Sequence, residues 1–227
     1  EPTHVHSIAG VRLATASAGI RYIGRDDVVL VEIAQQSNVA AVFTQNKFCA
    51  APVTLCVDYL KNNTPHYLII NAGNANAGTG QLGMDAAIAT TKAVADCMGV
   101  APQQVLPFST GVIGEVLDVS KIENQLPSLR ENLSEDHWLI AAKAIMTTDT
   151  VSKAYSKKIN IAGKDISITG VAKGSGMIQP NMATMLSYVA TDLAIPNDTL
   201  QALLTQAVSQ SFNAITVDSD TSTNDAC

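Results

Sequence analysis

Lys158-Ile-Asn-Ile-Ala-Gly-Lys-Asp-Ile-Ser-Ile-Thr-Gly170 is the stretch that decides the fold class. Isoleucines 159 and 161, then 166 and 168, recur with period two, and Gly163 stands between the pairs, so the stretch predicts two strands joined as a hairpin. The second strand runs directly into Gly170 and Lys173. Upstream the pattern is helical. Ser134-Glu135-Asp136 opens a predicted helix to about Met146, Ser120 with Glu123 predicts a capping box, and Pro127 separates the two. Met84 to Met98 is alanine-rich, carries Asp85 near its start and stops at Gly99, which predicts an amphipathic helix laid on a sheet. Val28 to Ile33, Val39 to Thr44, Val53 to Val57 and Tyr67 to Asn71 read as short strands. Downstream, a strand is expected from Met185 to about Ala190, a helix from Thr199 to about Phe212 behind the Pro196-Asn-Asp start, and a last strand at Ile215 to Asp218. Strands and helices mix without strict β-α alternation, which predicts an α+β layered sandwich rather than a doubly wound sheet.

The chain has 227 residues, 47% of them hydrophobic and 15% charged, enough to bury one sizeable core or two small ones. A formal charge of -6, with 14 Lys and Arg scattered without a run, argues against nucleic acid and for small-molecule partners. No stretch approaches the roughly 20 apolar residues of a membrane span, so a cytoplasmic location is expected. Cys49, Cys56, Cys97 and Cys227 include no C-x-x-C pair and are expected as reduced core thiols, with neither zinc nor disulfides. His4 and His6 lack a third metal ligand nearby, and His66 and His137 stand alone, so no metal site is expected and an ordinary Ser-His-Asp site is disfavoured.

Lys173-Gly-Ser-Gly-Met-Ile-Gln-Pro-Asn-Met-Ala-Thr184 leads through glycines to a small residue, Ala183, and a hydroxyl nucleophile, Thr184. That order suits self-cleavage. Attack of the Thr184 hydroxyl on the Ala183 carbonyl gives an ester, and its hydrolysis leaves Thr184 as a new N-terminus. The free amine, with a reference pKa of about 7.7 to 8.0, can then act as base for the neighbouring hydroxyl. The bland alternative is a glycine turn before a buried strand.

Phe108-Ser-Thr-Gly-Val-Ile-Gly114 offers the Thr110 hydroxyl and the Gly111 N-H as a pair able to hold an oxyanion. Removing one such donor commonly costs roughly 3 kcal/mol of transition-state stabilisation. A plain glycine turn is the alternative. Thr147-Thr-Asp-Thr150 can bind a ligand or simply exit a helix. Lys173 can pair with a substrate carboxylate or be solvated. Gly78-Thr-Gly-Gln-Leu-Gly83 matches G-x-G-x-x-G, but Ala72 to Ala77 intervene after the preceding strand, so a dinucleotide site is disfavoured. Asn71-Ala-Gly-Asn-Ala-Asn76 reads as a tight loop whose asparagines bond the backbone and accept left-handed conformations. Asp218 to Asp225 is a dense run of small polar residues, either a solvated tail or a loop lining a polar pocket.

Taken together, Asn71-Ala-Gly-Asn-Ala-Asn-Ala77, Ser109-Thr-Gly-Val-Ile-Gly114, Met146-Thr-Thr-Asp-Thr150, Lys173-Gly-Ser-Gly-Met177, Pro180-Asn-Met-Ala-Thr184, Ile215-Thr-Val-Asp218 and Asp220-Thr-Ser-Thr-Asn-Asp225 resemble the bifunctional ornithine acetyltransferase (glutamate N-acetyltransferase) family of arginine biosynthesis. The resemblance implies a layered sandwich of the N-terminal-nucleophile type. It also implies a precursor cut between Ala183 and Thr184, with residues 1-183 as an α chain and 184-227 as the start of a β chain, the pieces staying together as an α2β2 assembly. Thr184 would carry the acetyl group from N-acetylornithine to glutamate, Thr110 and Gly111 would form the oxyanion hole, and Thr147, Lys173 and Thr184 would contact substrate, with Thr148 a competitor for the role of Thr147. No cofactor is implied; acetyl-CoA is an alternative donor used by some members. Members are considerably longer, so the remaining pocket residues of the β chain are expected beyond Cys227, and this stretch alone is expected to be poorly active. Ala214 and Ser219 depart from the arginine and glycine common in the family. An N-terminal-nucleophile aminopeptidase or amidohydrolase, and an inactive fragment, are the competing readings.

Overall fold

The computed structural model describes residues 3-178, 185-218 and 220-227. The predicted hairpin is present and longer than its sequence core: β5 (Lys153–Ile161) and β6 (Lys164–Lys173) flank Ala162 and Gly163, whose φ values of 50° and 81° are those of a two-residue turn of the primed type. β7 (Leu186–Thr191) pairs antiparallel with β6 and completes a three-stranded sheet. A second sheet has four strands in sequence order: β1 (Val11–Ala16), β2 (Val28–Ile33), β3 (Tyr67–Asn74) and β4 (Val105–Val112), antiparallel except for the β3/β4 pair.

The unbroken apolar run Val28-Val-Leu-Val31 is explained by burial on both faces. Val28, Leu30, Ile69 and Val105 pack under α2 (Gly80–Met98), α3 (Val119–Glu123) and α4 (Leu126–Glu131). Leu13, Val29, Val31, Ile70, Leu106 and Phe108 face the other way, onto α5 (Trp138–Ala144), Cys56 of α1 (Ala51–Leu60) and Val171 and Leu186 of the small sheet. Phe108 and Tyr188 meet edge to face with centroids 5.3 Å apart, which fastens one sheet to the other. The α+β layered architecture therefore holds, and α6 (Asn197–Gln210) follows β7.

Several local expectations are corrected. Val53 to Val57 is not a strand but the middle of α1, because Pro52 presets the first turn and Val53, Leu55 and Cys56 are buried with it. Val39 to Thr44 forms only an isolated bridge, Phe43 to Ala226, since its partner arrives from the far end of the sequence. Ile215 to Asp218 is no strand either; the Val217 N-H goes to the Ile178 carbonyl. Asp118, not Ser120, caps α3 by accepting from the Ser120 N-H at 3.2 Å. Pro127 does not separate helices but sits in the first turn of α4, and the helix expected from Ser134 begins at Trp138, because the Ser134 backbone pairs with Leu13 in both directions. α2 starts four residues early, at Gly80. Cys49 is exposed rather than a core thiol. No helix among the described residues is long and apolar enough to cross a membrane.

Candidate active site

β3 and β4 run parallel and end side by side, and a cleft of about 400 Å³ opens beyond their carboxyl ends. Glycine makes that edge possible. Gly111 has φ of 133°, and a Cβ on it would lie 2.3 Å from the Gly73 carbonyl carbon, so the two strands approach as only glycine permits, at a bulge between Gly73 and Asn74. Gly73 in turn lies under Arg21, where a Cβ would come within 2.9 Å of the Arg21 Cβ.

The asparagine-rich string is not a free loop. Asn71 to Asn74 continue β3, and the Asn71 amide donates to the Asn74 carbonyl at 2.8 Å while accepting from the Ser109 hydroxyl at 2.6 Å. Asn76 does adopt the expected left-handed conformation, with φ of 47°. Asn224 joins the same network from the C-terminal run, donating to the Ala75 and Ser109 carbonyls at 2.6 and 2.9 Å. Ser222 to Asp225 are buried, so the solvated-tail alternative fails and Ser222, Thr223 and Asn224 line the cleft. Asn224 spends both amide hydrogens on these carbonyls, which ties the C-terminal run to the ends of β3 and β4.

Lys173, at the end of β6, is only 4% exposed, which overturns the solvated alternative. Nζ of Lys173 donates to the Thr110 Oγ1 at 2.8 Å. An ammonium has no acceptor, so Thr110 receives this bond and keeps its own hydroxyl hydrogen to direct into the cleft. Burial pushes the Lys173 ammonium below its ordinary value, against the opposing pull of the Asp149 and Asp225 charges. For Asp149, burial acts upward, but hydrogen bonds from Lys153, Gly174 and Thr147 and the charge of Lys173 outweigh it and hold the carboxyl below the usual range. Asp149 Oδ1 accepts from Lys153 Nζ at 2.5 Å and from the Gly174 N-H at 2.8 Å, while Oδ2 accepts from the Thr147 N-H at 3.3 Å. One carboxylate thus ties the turn after α5 to the residue after Lys173.

Thr110, Gly111, Thr147 and Lys173, the residues singled out by their motifs, all line this cleft. Thr148 lines it too, but its hydroxyl is engaged with Ser175 at 2.6 Å. Ala183 and Thr184, the proposed cleavage pair and nucleophile, lie outside the described residues. The chain on either side of them is described. Ser175, Gly176 and Met177 line the cleft, and on the other side the Met185 N-H donates to Asp225 Oδ1 at 2.7 Å, while Leu186 pairs with Lys173 itself.

Arg21 and Tyr22 also line the cleft, and nothing in the sequence marks them. Their position comes from Asp27, fully buried, whose carboxylate accepts the Ala18 and Ile20 N-H groups at 2.7 and 2.6 Å. Arg25 stacks 4.7 Å over the Tyr22 ring. Among the described residues no group of three His, Cys, Asp or Glu could hold a metal ion.

Comparison with known proteins bears on this arrangement. A model described as the ArgJ family matches residues 12–227. The arginine biosynthesis bifunctional protein ArgJ of Methylococcus capsulatus is 57% identical over 220 residues, 97% of this chain and 54% of that protein. The chain spans about half the length of the curated relatives it matches. Among solved structures, the arginine biosynthesis bifunctional protein argJ of Bacillus halodurans superposes with a TM-score of 0.72 at 33% identity, over 78% of this chain and 95% of that one. The ornithine acetyltransferase of Mycobacterium tuberculosis, complexed with ornithine, gives 0.66 at 30% identity, over 79% and 94%.

Proposed function

The chain belongs to the ArgJ family, and from that premise we propose that it is part of an acyltransferase that moves the acetyl group of N-acetylornithine to glutamate in arginine biosynthesis. The observation that carries the reading is the convergence of Thr110, Gly111 and Lys173 on one cleft, which Ser175 to Met177 line before Ala183 and Thr184, while Leu186 after them pairs with Lys173.

In this proposal the precursor first cuts itself between Ala183 and Thr184, giving residues 1-183 and a second chain that starts at Thr184. Support comes from coverage: the two solved relatives are matched over nearly their whole chain, whereas the curated relatives are matched over about half, a difference that a cut near residue 183 would produce. The freed α-amine of Thr184 accepts the proton of its own hydroxyl as the oxygen attacks the acetyl carbonyl of N-acetylornithine. Negative charge gathers on the carbonyl oxygen, where the Thr110 hydroxyl and Gly111 N-H donate to it. The tetrahedral adduct collapses as the ammonium returns its proton to the departing amine, ornithine leaves, and Thr184 holds the acetyl group as an ester. Glutamate's neutral α-amine then attacks the ester by the same route, Thr184 recovers its hydroxyl proton, and N-acetylglutamate leaves.

Lys173 serves twice: its contact with Thr110 orients the oxyanion donor, and its charge suits the α-carboxylate common to donor and acceptor. Thr147 is the substrate contact of its pair, because the Thr148 hydroxyl is already held by Ser175. The two chains remain together, pair into an α2β2 assembly in the cytoplasm, and need no cofactor; acetyl-CoA is a second acetyl donor.

The test uses the full-length protein. Thr184→Ala is expected to abolish both self-cleavage, followed by intact mass, and acetyl transfer from N-acetylornithine to glutamate. Cleavage that persists in this variant removes Thr184 as nucleophile. Acetate release with no acetylglutamate formed would favour hydrolysis over transfer, and supplying acetyl-CoA in place of N-acetylornithine tests the second donor.

A further inference from the structure

Among the described residues Met177 is one of three non-glycine residues with positive φ, at 56°, and it lies just after β6 on the side that precedes the proposed cut. Such a conformation is disfavoured for a residue with a Cβ and persists where its surroundings hold it. Here the holder is Asp218. Oδ2 of Asp218 accepts the Met177 N-H at 2.7 Å and Oδ1 accepts the Ile178 N-H at 2.8 Å. The grip is reciprocal, since the Ile178 carbonyl accepts the Val217 N-H at 2.8 Å. Ile178 is buried and anchors the stretch, whereas Asp218 is exposed and contributes nothing to the core.

We propose that Asp218 is a positioning residue for self-cleavage: its carboxylate clasps two successive N-H groups, fixes the left-handed turn at Met177, and so aims the chain toward the Ala183-Thr184 bond. The proposal rests on the cleavage reading above. The clasp joins the two sides of the cut, because Met177 and Ile178 precede it and Asp218 follows it. It belongs to neither the oxyanion pair nor the substrate contacts.

The experiment follows the conversion of freshly purified full-length precursor by intact mass for the wild type, Asp218→Asn, the double variant Asp218→Asn with Met177→Gly, and Thr184→Ala. An asparagine keeps the shape but leaves one of the two N-H groups without an acceptor and the other without a charge, so Asp218→Asn should slow cleavage about tenfold with an unchanged melting temperature. Met177→Gly in that background should restore most of the rate, because glycine enters the left-handed region unaided. A purely structural loss at Asp218 would not be rescued this way. The proposal is overturned if Asp218→Asn is cut at the wild-type rate while Thr184→Ala stays intact, or if the slowed variant gains nothing from Met177→Gly. Cleavage of Thr184→Ala itself would instead defeat the reading beneath it, and the proposal with it.

Discussion

Lys173 and Thr110 meet across the seam between the two sheets, Nζ to Oγ1 at 2.8 Å, so the hydroxyl on β4 is oriented by a residue from the end of β6. If the Thr110 hydroxyl stabilises the developing oxyanion, Thr110→Ala in the full-length enzyme should lower kcat by about a hundredfold with little change in KM. Thr110→Ser, which keeps the hydroxyl, should lose far less. Steady-state kinetics of acetyl transfer check both.

Asp149 is the buried counter-charge of the site. Asp149→Asn should cost about 2 kcal/mol at neutral pH in urea unfolding, since it weakens charge-assisted bonds from Lys153 and Gly174. The folded-state pKa is depressed, so the unfolded chain takes up its proton first as pH falls. The stabilisation is therefore complete above the ordinary aspartate value of 3.8 and is lost below it, and wild type and variant should converge in that acid window.

Burial sets the opposite case at Lys173. A lysine whose folded pKa lies below 10.5 is penalised when charged, so the penalty is full below the folded value and vanishes above 10.5. The stability of the wild type relative to Lys173→Met should accordingly rise as the pH is raised toward 10.5, as read from parallel urea titrations.

Gly111→Ala should be destabilising by at least about 2 kcal/mol, because positive φ and contact with the Gly73 backbone both forbid a methyl group. The fall in melting temperature should be accompanied by loss of transfer activity, since the N-H proposed to hold the oxyanion moves with the strand.

Asp27→Asn removes one of two acceptors for the Ala18 and Ile20 N-H groups and should cost about 2 kcal/mol. Hydrogen exchange should accelerate at these amides, and KM should rise more than kcat falls as the Arg21 and Tyr22 wall loosens.

The legible parts of the sequence were those whose cause is local. The β5-β6 hairpin carries its period and its turn in one short window, and α2 carries its composition and its Gly99 stop, which sits in the left-handed C-cap with φ of 74°. Thr110, Gly111, Thr147 and Lys173 stand out through their motifs, and all four line one cleft. What misled was non-local. Val39 to Thr44 has the composition of a strand, but its partner Ala226 comes from the far end of the sequence and offers it only a single bridge. Val53 to Val57 is too short an apolar run for period to separate strand from helix, and Pro52 decided it. The burial of Lys173 depends on residues from β4 and from the turn after α5, and the placement of Arg21 depends on a single buried aspartate.

Ala226 is buried in the core between Phe43, which precedes the proposed cut, and Leu186, which follows it, and Val42 and Cys227 exchange backbone hydrogen bonds beside it. A protein cut between Ala183 and Thr184 would therefore consist of two chains that complete one another's hydrophobic interior. Parting them would be an act of unfolding rather than of dissociation from a surface. Once the covalent link is gone, the persistence of the fold becomes a bimolecular property, and dilution acquires a leverage over stability that it does not have on the uncut chain.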